Sequence, residues 1–320
     1  MQTELLGKEV NKLNKKVLLI IVALLAVSFM PSSLVSTAQA KITEVNPAVG
    51  YTEYYGTMGG ANFYVLIPDD WTNPLGDRML VVICRSAGYF EDPRDSVPDY
   101  PFALGLAMQG IAVAASNYGP PESGVKEGVI RTHQLTMYVI DNYDVTGKVF
   151  LFGSSVGGCV ALLLGESHPE VYSGVLDNSG VKDWAAMYND AASYSGSDPF
   201  LLLWNALVIP SYENNYGGTP EERPNKYAKY SPTHHADIAI PVISVVHVGD
   251  MIVKPEQTEL YHAALSNPSL HIVVYVTDVT PGNAPFPGAT GWYGHFDPAT
   301  FTAAATNLIN LIVVSNTLDS

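Results

Sequence analysis

The chain has 320 residues, of which 47% are hydrophobic and 15% charged, a balance that belongs to globular enzymes and excludes a disordered chain. Its formal charge of −15 speaks against nucleic acid as a partner, because binding phosphates takes Lys and Arg.

The N-terminus stands apart. Lys8, Lys12, Lys15 and Lys16 make a positive opening, Val17 to Met30 is an uncharged apolar run of 14 residues, and Pro31 ends it. Ala38-Gln39-Ala40 supplies the small-x-small pattern that signal peptidase reads. The run is shorter than the ~18 residues that span a bilayer. Residues 1–40 read as a signal peptide cleaved before Lys41, with an uncleaved anchor as the alternative. The expectation is a secreted or extracytoplasmic protein with no stable membrane insertion after cleavage. No later segment reads as long and apolar enough to span. The remaining ~280 residues suffice for a single α/β domain.

Asn62–Pro68 and Met79–Cys84 read as strands separated by a turn region rich in Asp, Asn, Pro and Gly. Ile111–Ser116 is the next strand, and Glu127–Tyr143 has helical spacing through Val129, Leu135, Tyr138 and Val139. Lys148–Phe152 reads as a strand, Val156–Glu166 as a helix and Val171–Leu176 as a strand. Ile238–Val248 reads as a buried strand, Pro255–Leu265 as a helix, His271–Thr277 as a strand and Pro298–Val314 as a closing helix. Apolar strands alternating with helices predict a mainly parallel sheet covered on both faces. Residues 181–236 break the alternation with many Trp and Tyr, and read as an inserted cap, part helix and part loop. Cys84 and Cys159 fall in apolar runs and read as buried free thiols rather than a disulfide.

In such sheets chemistry lies beyond the carboxyl ends of the strands. The strand Lys148–Phe152 runs into Gly153-Ser154-Ser155-Val156-Gly157 and then a helix. That is the context of a nucleophile elbow: the central Ser is strained and outward-pointing, and its neighbours two away must be small. Ser155 meets the rule and Ser154 does not, since Phe152 and Val156 flank it. The Val156 N–H stands at the helix start, where it can hold an oxyanion. A serine needs a base, and the base an orienting acid, in the chain order Ser, Asp or Glu, His. Asp250 follows the strand Ile238–Val248, and His295 ends the loop after His271–Thr277. Asp177 and Asp278 also end strands and are reserve acids. The other histidines fit less well: His262 and His271 read as surface positions, and His234-His235 alone is weak as a metal signal.

The elbow, the acid turn and the late histidine together resemble the α/β-hydrolase superfamily. Ile111-Ala-Val-Ala-Ala-Ser-Asn-Tyr-Gly119 through to Ser167-His-Pro-Glu170 is similar to exported microbial esterases and prolyl-oligopeptidase-like hydrolases, as are Gly249-Asp250-x-x-Val253-x-Pro255 and Gly294-His295-Phe296. The resemblance covers roughly residues 60–180 and 237–315. It implies an eight-stranded sheet flanked by helices and serine hydrolase chemistry without metal or cofactor. The family's His-Gly after its early strand is replaced here by Arg85-Ser86-Ala87-Gly88-Tyr89. Aligning Ala87-Gly88-Tyr89 with that element makes the Tyr89 N–H the second oxyanion donor, with Ala87 the competing choice.

The reading is a secreted hydrolase of carboxylic esters, small or polymeric, through an acyl-enzyme on Ser155. Most cap aromatics read as the cap's own core. Trp292, Trp184 and Trp204 are the aromatics expected to touch substrate. One alternative is a prolyl-oligopeptidase-like peptidase, which usually carries an N-terminal propeller for which residues 41–61 are too short. The other is a non-catalytic binding protein on the same fold.

Overall fold

The computed structural model describes residues 40–72, 78–86, 93, 101–118, 124–278, 294–295 and 297–317. All of the expected signal segment but Ala40 lies outside them. Three strands open the described chain: β1 (Lys41–Pro47), β2 (Tyr51–Met58) and β3 (Ala61–Pro68), paired antiparallel in that order. Gly59 and Gly60 join β2 to β3 with φ of 57° and 82°. A two-residue hairpin turn of this hand needs positive φ at both places, which glycine adopts without strain.

The alternating part follows: β4 (Leu80–Cys84), α1 (Pro101–Met108), β5 (Ala112–Ser116), α2 (Val125–Asn142), β6 (Val149–Ser154), α3 (Val156–Ser167) and β7 (Gly174–Asn178). After an insertion come β8 (Val242–His247), α7 (Pro255–Ala264), β9 (His271–Val276) and α8 (Pro298–Thr317). The sheet order is β1-β2-β3-β5-β4-β6-β7-β8-β9, and every pair from β5 to β9 is parallel. The sheet thus has nine strands rather than the expected eight. Neither β1 nor β2 is among the strands expected from the sequence: β1 is exposed along its whole length and β2 is mostly half-buried, so neither carries a clear apolar alternation.

Every residue of β4, β5, β6, β7 and β8 is buried. Successive side chains go to opposite faces. Leu80, Val82 and Leu151 pack with Leu135 and Val139 of α2 and Val160 and Leu164 of α3. Val81, Ile83, Phe150 and Phe152 pack with Leu106 of α1 and Leu308, Leu311 and Ile312 of α8. That second face corrects one expectation. By length and mean hydropathy α8 could cross a membrane, with a value of 1.3 over Pro298–Ser315. Here it lies on β7 and β8, which accounts for Ala304, Leu308, Leu311 and Ile312. β8 starts later than expected, because Ile238 and Ile240 are buried in the connector that leads through Pro241.

Between β7 and β8 stand α4 (Trp184–Ala192), α5 (Pro199–Tyr216) and α6 (Pro224–Lys229). The Asp183 and Asp198 carboxylates cap α4 and α5, each accepting two backbone N–H groups. Gly217 ends α5 at φ 77°, the left-handed stop. Inside, Trp184, Tyr212, Tyr216 and Tyr227 are buried together.

Candidate active site

β6 delivers Ser155 to a turn with φ 56° and ψ −121°, a backbone that an L-residue adopts only when its surroundings impose it. The imposition is visible. The Ser155 N–H donates to the Asn178 carbonyl at 3.0 Å, and the Ser155 carbonyl accepts from Val181 N–H at 3.1 Å. A side chain at Gly153 would strike the Gly157 backbone, and one at Gly157 the Cys84 carbonyl. Both positions must be glycine for the turn to close against β4. Val156 opens α3, whose first N–H groups have no carbonyl within the helix.

Asp250 follows β8 in a tight turn. Its Oδ1 accepts the N–H groups of Ile252 and Val253, both at 2.9 Å. Its Oδ2 lies 2.7 Å from His295 Nδ1, and His295 Nε2 lies 2.9 Å from Ser155 Oγ. Ser155, Asp250 and His295 are 7%, 3% and 3% exposed, so the chain of hydrogen bonds is shielded from water that would compete for it. Gly294 packs on Gly249 and Asp250 so closely that a side chain there would displace the acid turn. With Nδ1–H held by the carboxylate, Nε2 is left as an acceptor for the serine proton. The arrangement can therefore generate a nucleophilic oxygen.

Of the reserve acids, Asp177 is engaged elsewhere and Asp278 is exposed. Asp177 is fully buried, with Oδ2 2.6 Å from Lys182 Nζ and 2.7 Å from the donating Ser244 hydroxyl. The Asp278 backbone carbonyl, not its carboxylate, lies 3.1 Å from His247 Nε2. His271, expected at the surface, is buried instead: Nε2 is 2.9 Å from Ser244 Oγ and Nδ1 is 3.2 Å from His262 Nδ1. Since the Ser244 proton goes to Asp177, His271 Nε2–H must be the donor to Ser244 Oγ. Burial pushes the His271 imidazole down to about 4, which keeps it neutral in this chain. Sequence reasoning missed this network because Lys182 and Ser244 look like ordinary polar positions. The one available signal is a lysine two residues from a glycine, in an apolar stretch just past a strand.

Among the aromatics expected to touch substrate, Trp184 packs inside the cap. It is 3% exposed, packed on Tyr212 and Tyr216, with its indole N–H on the Cys159 sulfur at 3.3 Å. These contacts place it in the core of the cap. Trp204 lines a cavity between the cap and the acid turn. Tyr89, Ala87 and Trp292 lie outside the described residues. Both cysteines are buried free thiols, and burial raises both thiol pKa values far above the ordinary range. Among the described residues no group of three His, Cys, Asp or Glu side chains could hold a metal ion.

Residues 134–279 match the prolyl oligopeptidase family, a segment that holds Ser155 and Asp250 but stops before His295. In fold the chain is similar to an acetyl xylan esterase from Paenibacillus sp. R4, at 14% identity and TM-score 0.59, over 91% of this chain and 93% of that one. It is similar to the Pyrococcus horikoshii acylaminoacyl peptidase at 12% identity and TM-score 0.55, over 87% of this chain and 42% of that one. Oligopeptidase B from Leishmania major matches at 11% identity and TM-score 0.55, over 88% and 37%. This chain therefore corresponds to less than half the length of either peptidase. No curated protein is significantly similar in sequence.

Proposed function

We propose that this chain, which has the α/β-hydrolase fold, is a serine hydrolase that cleaves esters, a reading supported by the matched family segment and the fold likeness. Ser155 Oγ attacks the ester carbonyl as His295 Nε2 takes its proton. His295 then returns the proton to the leaving alcohol, and Asp250 steadies the imidazolium between the two steps. Water activated by the same histidine releases the acyl group. The Val156 N–H holds the oxyanion, with Tyr89 N–H as the second donor. Removing one such donor typically costs ~3 kcal/mol of transition-state stabilisation. No metal or cofactor enters this scheme. The observation that carries it is the unbroken hydrogen-bond chain from Ser155 through His295 to Asp250.

Ester rather than peptide substrates are favoured by the nearly end-to-end correspondence with a single esterase chain. The peptidases correspond only through a part of their length. The peptidase reading has its own support in the matched family segment. The charged and apolar N-terminal run supports export.

Purified protein offered short p-nitrophenyl esters and peptide p-nitroanilides, beside Ser155→Ala, separates the readings. Ester turnover that falls at least ~10³-fold in the variant sustains the esterase and its nucleophile. Anilide turnover without ester turnover transfers the case to a peptidase. A folded protein inert to both would be a binding protein.

A further inference from the structure

The cap and the acid turn enclose a cavity of about 330 Å³ outside the hydrogen-bond chain of the triad. Met187, Tyr194, Leu201 and Trp204 wall it on the cap side, and Met251 and Ile252 on the other. Asp190 and Lys254 also line it, with Nζ and Oδ1 2.6 Å apart. Ser193, Ser195 and Asn205 add polar groups to the lining, so the cavity offers an apolar wall and a polar one at the low end of the size of a small-ligand site.

Both walls are built rather than incidental. The Tyr194 hydroxyl accepts the Asp198 N–H at 3.1 Å, which closes the loop between α4 and α5. Asp198 in turn holds the Phe200 and Leu201 N–H groups at 2.9 and 3.1 Å. The Trp204 ring stacks on Phe200 with centroids 6.0 Å apart. Opposite, the Ile252 N–H is fixed on Asp250 Oδ1 at 2.9 Å. Ile252 is two residues from Asp250, so that wall stands no more than ~7 Å along the chain from the triad's acid.

The lining chooses the occupant. An indole, a phenol and two thioethers favour an aromatic ring, through stacking and sulfur–ring contact. The Asp190–Lys254 pair is neutral overall and gives no preference for a charged ligand. A carboxylate accepts from more than one donor, so Asp190 can take a ligand hydroxyl beside Lys254. We propose that this cavity holds the hydroxyaryl group of an aromatic ester substrate, its ring between Trp204 and the methionines and its hydroxyl on Asp190. This rests on the esterase reading and narrows it to one substrate class.

Binding is measured by calorimetry on the full chain carrying Ser155→Ala, which holds esters without cleaving them. The probes are methyl 3-(4-hydroxyphenyl)propanoate, methyl 3-phenylpropanoate and methyl butanoate. The hydroxyaryl ester is expected to bind at least about tenfold tighter than butanoate, the scale of one good ring contact plus a hydrogen bond. Adding Trp204→Ala removes most of that gain, and Asp190→Ala erases the difference between the two ring esters. Ser195→Trp, at an exposed lining position, fills the cavity without disturbing the core, and is expected to abolish ring binding even if Trp204→Ala does not fold. Equal binding of all three esters, or unchanged ring binding in Ser195→Trp, overturns the proposal. Turnover by the parent protein is scored separately. Ring binding without ester turnover sinks the esterase reading and leaves an aryl site. Ester turnover without ring preference sinks the aryl site alone.

Discussion

Replacing Asp250 by Asn tests the triad at its most informative atom. Oδ1 of Asp250 accepts two backbone N–H groups, and Oδ2 faces His295 Nδ1. An asparagine keeps the first pair only if its carbonyl oxygen stays toward Ile252 and Val253. The flipped amide would set NH₂ against two donors and leave both buried N–H groups unsatisfied, at ~1–3 kcal/mol each. The side chain is therefore held with NH₂ toward His295. Nδ1 must then accept, and the imidazole proton moves to Nε2, where it meets Ser155 Oγ. A protonated Nε2 cannot take the serine proton. The expected result is a loss of ~10⁴ in kcat at neutral pH, on the scale known for this tautomer error. KM and thermal stability stay close to the parent's, because shape and both backbone bonds survive. Steady-state kinetics on p-nitrophenyl acetate and a thermal melt measure both. More than a tenth of parental kcat in the variant would refute the reasoning and return attention to Asp177 and Asp278.

Ser154→Ala distinguishes the two serines of the turn. Its hydroxyl only accepts from Asn178 Nδ2 at 3.3 Å, so the variant should keep activity within a few-fold and lose about 1 kcal/mol in a urea melt. Glu166 sets a pH dependence of stability. Burial pushes its carboxyl up to about 8, and its Oε2 meets no hydrogen-bond partner among the described residues. The folded chain therefore keeps a proton that the unfolded chain releases near the ordinary carboxylate pKa, so stability is fully present below about 4.5 and is lost as pH rises toward 8. His271 acts oppositely at lower pH, its stability being lost as pH falls from 6.5 to about 4. Melts of Glu166→Gln should accordingly be flatter than the parent's between pH 6.5 and 8, and an unchanged slope would remove Glu166 as the cause. Neither thiol should react with a disulfide reagent in the native protein, and both should react after denaturation. N-terminal sequencing of exported protein should begin at Lys41, and a blocked or earlier start would refute cleavage there.

The readings that held are those governed by short-range rules. A strained turn needs small residues two away on each side, so Gly153 and Gly157 mark Ser155 without any knowledge of what they touch. The acid and base each stand where a strand ends, which apolar runs and loop residues make legible. Readings failed where a side chain's fate depended on distant partners. Trp184 and Trp204 both sit on cap helices, yet one packs on Tyr212, Tyr216 and Cys159 and the other lines a cavity. His271 opens an edge strand and looks exposed, but Ser244 of the adjoining strand and Tyr261 of α7 enclose it. β1 and β2 escaped notice because exposed and half-exposed strands at a sheet edge need no apolar pattern.

Sequence by itself determined the fold class and singled out Ser155, Asp250 and His295 as candidates, since each is written in local spacing and chain order. Sequence put Asp250 first and left Asp177 and Asp278 in reserve; tertiary structure alone shows which carboxylate meets His295. The buried ammonium of Lys182 holds Asp177, and the acid turn aims Asp250 Oδ2 at the imidazole. Both are contacts between side chains that no spacing rule brings together.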